Sequence, residues 1–149
     1  MKKGTLEREI GVAILFSVLA IPTMILSHEI GHYLGALLYG VHGYIYYDWT
    51  TLTGYFQPDF NVNWVVDYCG GLIPSLIFIP FIFNKNLFIK SISVIIVLSE
   101  MGCAVYEGYF NQLYQGSMFQ IANGITMSLI GIVILVYLTK IKSSQVVLN

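Results

Sequence analysis

Two histidines and a glutamate sit in the stretch TMILSHEIGHYLG, residues 23–35, one of the most apolar runs in the chain. His28 and His32 are four residues apart, so on a helix their imidazoles lie one above the other on one face, with Glu29 in the same turn. This is the HExxH spacing. Two neutral imidazole nitrogens bind zinc, and the neighbouring glutamate takes a proton from the attacking water and passes it to the leaving amine. A chance pentapeptide, with histidines hydrogen-bonded between helices, is the bland alternative. Against it stands the cost of ionisable groups in an apolar span: three of them within two turns need a shared explanation, and a metal supplies one.

Catalytic zinc commonly has three protein ligands and one open position, so a third ligand is expected elsewhere in the chain. Asp67, Glu100 and Glu107 are the candidates. With a helical rise of about 1.5 Å per residue, His28 and His32 lie roughly 27 and 33 Å from Ile10, while Glu100 and Glu107 lie roughly 20 and 30 Å from Leu87. Depth therefore ranks Glu107 first. Asp67 falls at similar depth from the opposite end of its own span, as a ligand or as a partner for a histidine N–H. Glu100 fits least well and reads as a protonated, hydrogen-bonded glutamate between helices.

The elements that must hold these groups are membrane helices. The chain has 149 residues, 56% of them hydrophobic and only 10% charged, with a formal net charge of −1 and a mean hydropathy of +0.73. Such a composition excludes an ordinary soluble domain and a nucleic-acid-binding surface. Four apolar stretches, residues 10–39, 64–83, 87–106 and 120–139, are each long enough to cross a bilayer, which takes about 20 helical residues. Lys2, Lys3, Arg8, Lys85, Lys90, Lys140 and Lys142 all fall on one side of this arrangement, and the positive-inside rule then puts both termini in the cytoplasm. The histidines come toward the other, basic-free side. The apolar N-terminal run continues into the histidine motif without a cleavage pattern, so it is expected to be retained. Cys69 and Cys103 lack any metal-knuckle spacing and read as small buried residues.

Between the first two spans, GVHGYIYYDWTTLTGYFQPDFNVN is rich in Tyr, Thr and Trp with partial period-two alternation, which predicts a β-hairpin or re-entrant segment. An interfacial aromatic belt explains the same composition. The second span contains CGGLIPSLIFIP. Gly70 and Gly71 permit close backbone approach, and Pro74 and Pro80 interrupt the hydrogen-bond ladder, so a kinked or partly unwound helix is expected, with freed backbone groups near the metal available to an extended substrate.

Three segments resemble the site-2 protease family of intramembrane zinc metalloproteases, in particular its small bacterial-type members. SHEIGHYLGALLYG looks like the family's metal helix, YCGGLIPSLIF like its glycine-proline second helix, and AVYEGYFNQL stands where the family places an acidic third ligand. The resemblance implies zinc held by His28, His32 and Glu107, with Glu29 as the catalytic base; the residues themselves put Asp67, Gly70, Gly71 and Pro74 near the substrate or around the ligands. The family commonly has aspartate before the glycine where this chain has Glu107 and Gly108. The hairpin also resembles the family's β segment, which pairs with unwound substrate as an added strand.

The expectation is an all-α polytopic membrane protein of about four transmembrane helices with a short hairpin after the first. As an enzyme it would be a zinc endopeptidase cleaving a membrane-protein or membrane-associated peptide within or near the lipid bilayer. Two other readings share the sequence: a non-proteolytic zinc-binding membrane protein, and a metal-free bundle whose carboxylates form an ion or proton path.

Overall fold

The computed structural model describes residues 3–50, 53–59 and 64–110, and beyond them 125–126, 128–134, 136–137 and 140. The chain is predominantly helical. Helix α1 (Lys3–Leu38) is followed by strands β1 (Gly43–Asp48) and β2 (Thr53–Pro58), then α2 (Trp64–Ile82) and α3 (Leu87–Val105), which runs into a π-helical turn at Tyr106–Phe110. Ile10–Leu38, Trp64–Ile82 and Leu87–Tyr109 are long and apolar enough to cross a membrane. The described residues from 125 to 140 are helical as well, while much of the expected span at 120–139 lies outside the described residues.

Helix α1 passes through Pro22 without a break. It stops at Gly40, whose φ of 68° is the left-handed conformation that glycine adopts without penalty. There the Val41 N–H reaches the Ala36 carbonyl at 3.1 Å and the Gly40 N–H reaches the Leu37 carbonyl at 3.0 Å, the double closure of a Schellman end. This stop places the hairpin directly after the histidine-bearing turns. At the start of α3, Asn86 caps the helix by accepting from the Phe88 N–H at 2.9 Å.

The strands are antiparallel, with Tyr46 opposite Tyr55 and Ile45 opposite Phe56. Alternation decides which side faces the protein: Ile45, Tyr47, Gly54 and Phe56 lie inward, while Tyr44, Tyr46 and Tyr55 are exposed. On the outer face the rings of Tyr46 and Tyr55 stack at 4.8 Å.

The core lies between α1, α2 and α3, with Met24, Phe78, Ile92 and Ile96 fully covered. Ile130 joins it, the Ser99 and Thr126 hydroxyls pair, and Tyr137 packs on Phe88 at 4.8 Å, so the described part of the last helix runs along α3. Outward, Leu15, Leu19, Leu76, Phe83 and Leu98 are all exposed. In water each would forgo about 1.5–3 kcal/mol of burial, a loss that an apolar surrounding removes.

Helix α2 approaches its neighbours closely. A Cβ at Gly31 would overlap the Cys69 carbonyl, and a Cβ at Gly71 would overlap the Glu100 carbonyl. The expected unwinding of α2 is absent: the helix is continuous through Pro74 and Pro80. Pro74 is buried, and the adjacent Ser75 hydroxyl donates to the Gly71 carbonyl at 2.7 Å, so this stretch is packed inside the bundle.

A candidate metal centre

The two histidines of α1 project from one face, with ring centroids 4.8 Å apart. Each is oriented through its Nδ1 atom. His28 Nδ1 donates to Glu100 Oε2 at 2.8 Å, and His32 Nδ1 donates to the Val66 carbonyl at 3.0 Å. With those protons committed, both Nε2 atoms present lone pairs to the same point, 3.1 Å from each other. Glu107, delivered by the π-helical turn, brings Oε2 to 3.2 Å from His28 Nε2 and 3.4 Å from His32 Nε2. That oxygen is buried and has no hydrogen bond among the described residues.

Three electron-rich atoms in a near-equilateral triangle repel one another unless a cation lies among them. The triangle also has the size a metal demands. Ligand bonds of about 2.0–2.1 Å in a tetrahedron give edges of about 3.3–3.4 Å between donor atoms, close to the observed 3.1, 3.2 and 3.4 Å. His28, His32 and Glu107 thus fit a divalent metal of the zinc type, and they are the one such group among the described residues.

Glu100 and Glu107 are seven residues apart, two turns of helix, and so share a face of the α3 segment. One carboxylate grips His28 at Nδ1 and the other faces it at Nε2. Glu107 thus joins the donor cluster, while Glu100, 3% exposed, holds the ring from behind. The third candidate, Asp67, lies outside the cluster. The two Nδ1 atoms are engaged by Glu100 and by the Val66 carbonyl, and Asp67 lines the cavity beside the cluster.

Glu29, 5% exposed, lies beside the triad, and its carboxylate accepts from the Phe56 backbone N–H. This contact follows from strand geometry. The Asp59 N–H bonds to the His42 carbonyl, so alternate residues of β2 pair with β1 and the intervening Gly54 and Phe56 direct their backbone groups to the open edge. Pro58, which has no N–H, occupies the same edge phase. A cavity of about 390 Å³ opens here, lined by His28, Glu29, His32, Asp67 and Glu107 together with Gly54, Tyr55 and Phe56.

Gly70, Gly71 and Pro74 are not among the residues that line that cavity. Gly70 has a different part: a Cβ there would overlap the His32 ring, so its bareness makes room for the imidazole. Sequence reasoning missed the Phe56 N–H and the part played by Glu100. The seven-residue spacing of the two glutamates was the available signal for the second, and the alternation of the hairpin for the first.

Comparison of the chain with protein-family models, with characterised proteins and with solved structures finds no match.

Proposed function

We propose that this chain is a zinc-dependent intramembrane endopeptidase of the site-2 protease type, a multi-pass membrane protein of four spans with both termini cytoplasmic. The observation that carries the reading is the triangle of His28 Nε2, His32 Nε2 and Glu107 Oε2, set beside a buried glutamate at the wall of a cavity. When bound, zinc supplies Lewis-acid polarisation of the scissile carbonyl and lowers the pKa of water. His28, His32 and Glu107 hold it. Glu29 takes the proton of the attacking water and delivers it to the leaving nitrogen, kept in place by the Phe56 N–H.

An extended segment of the membrane-protein substrate adds to the open edge of β2, which borders the cavity. Packing of α1, α2 and α3 keeps bulk water from the buried side of the donor cluster. The fourth span rests on the helical residues between 125 and 140 that pack along α3. The orientation rests on the seven basic residues, which share one side of the spans, whereas His28 and His32 lie toward the end of α1 that enters the hairpin.

The test pairs zinc analysis of the detergent-purified chain with cleavage of a panel of transmembrane peptides, for wild type, His28→Ala and Glu29→Gln. Near one zinc per chain, lost in His28→Ala, with cleavage abolished in a zinc-replete Glu29→Gln protein, is the expected result. Zinc with no cleavage of any peptide supports a non-proteolytic zinc binder, and a wild type that stays metal-free after zinc is supplied supports the ion-path reading.

A further inference from the structure

The buried Oε2 of Glu107 makes no hydrogen bond among the described residues and faces the Nε2 atoms of His28 and His32. Its placement therefore depends on where the backbone of the π-helical turn sits. That turn widens the ladder immediately after α3, where the Tyr106 N–H is shared between the Gly102 and Cys103 carbonyls. The turn packs against α2, and one of its contacts there is especially close. The ring of Tyr68 lies flush on Gly108, so close that a Cβ on Gly108 would overlap the Cγ, Cδ2 and Cε2 atoms of the ring. Trp64, one helical turn before, meets the Tyr68 ring edge-on at 5.6 Å and backs it.

We infer that Tyr68 is a positioning residue for the metal ligand: its ring is the seat on which Gly108 rests, and that seat sets the depth at which Glu107 meets His28 and His32. This rests on the metal reading above. It also gives Gly108 a reason to be glycine that is steric and owed to a side chain of a different helix. The contact acts through the flat body of the ring, so the Tyr68 hydroxyl is dispensable.

The experiment measures zinc affinity of the full detergent-purified chain by competition with a chromogenic chelator. Gly108→Ala is expected to weaken zinc binding roughly tenfold or more, in the range that supporting groups around metal ligands command. Tyr68→Ala weakens it as well, and Tyr68→Phe restores wild-type affinity. In the double variant Gly108→Ala/Tyr68→Ala, the methyl group has room and costs nothing beyond Tyr68→Ala alone. In a Glu107→Ala background neither substitution changes the residual affinity.

An undiminished Gly108→Ala penalty in the absence of the Tyr68 ring would overturn the inference, because the effect would then belong to the turn's own backbone. Equal zinc affinity in Tyr68→Ala and wild type would do the same, and this arm stands even if Gly108→Ala does not fold. A wild-type chain that binds no zinc overturns the metal reading itself, whereas a zinc-binding wild type with an indifferent Tyr68 overturns the seat alone.

Discussion

Glu100→Gln isolates the charge behind His28 from the shape of the site. The glutamine is isosteric, and its amide oxygen still accepts from His28 Nδ1, so the ring keeps its orientation. What disappears is a buried charge-assisted bond of 2.8 Å between side chains that are each 4% exposed. Loss of the negative charge lowers the donor strength of Nε2, and metal affinity should fall about 10- to 100-fold, or about 1.4–2.7 kcal/mol. The metal-free fold should respond differently. A buried carboxylate costs desolvation that an amide avoids, so unfolding free energy without metal should stay within about 1 kcal/mol of wild type or rise. Glu100→Ala, in contrast, strands the Nδ1 proton and adds about 1–3 kcal/mol of destabilisation. Chelator competition reads the affinity, and denaturant titration in detergent reads the apo stability. Zinc affinity within twofold of wild type in Glu100→Gln, while His28→Ala abolishes binding, would refute the reasoning that Glu100 tunes the ligand.

Asp67→Asn should leave zinc stoichiometry and affinity unchanged, since the residue lines the cavity outside the donor cluster; elemental analysis and chelator competition check this, and loss of zinc would restore Asp67 as a ligand. Gly70→Ala should drive a methyl group into the His32 ring and lower both zinc affinity and apo stability, the latter by about 1–3 kcal/mol, measured by denaturant titration. Chelation of a zinc-loaded sample should lower its unfolding temperature. At a free zinc concentration of 100 times Kd the lost stabilisation is about 2.7 kcal/mol, and re-addition of zinc should restore it in wild type but not in His32→Ala.

Much of the architecture was legible because it follows from apolar run length. The spans read at 64–83 and 87–106 became α2 at Trp64–Ile82 and α3 at Leu87–Val105, and the aromatic alternation became the hairpin. The span read at 10–39 corresponds to Ile10–Leu38 within α1, whose helix extends back to Lys3 because Leu6, Glu7 and Arg8 favour helix without being apolar enough to mark a span. The unwinding expected of α2 failed since Pro74 is packed inside and the Ser75 hydroxyl bonds to the preceding turn. HExxH spacing brought out His28, Glu29 and His32, and depth favoured Glu107. Depth alone could not show that Glu100, on the same face two turns away, holds the far nitrogen of His28. A π-helical turn leaves no periodic trace, so neither it nor the seat of Gly108 on Tyr68 was visible before the fold.

The His28–Glu100 bond joins residues 72 positions apart, and that separation governs how the chain is made. At about 5–20 residues per second, α1 emerges about 4 to 14 s before the carboxylate that will satisfy it. During that interval His28, Glu29 and His32 have no partner from α3, and a lone α1 in lipid would carry all three uncompensated. Nascent α1 must therefore stay in a hydrated environment, at the insertion machinery or in the water layer, until α3 follows. Lateral release of the first span is thereby coupled to synthesis of the third, and a ribosome stalled between them would leave a helix with three uncompensated ionisable groups exposed to retrieval and degradation.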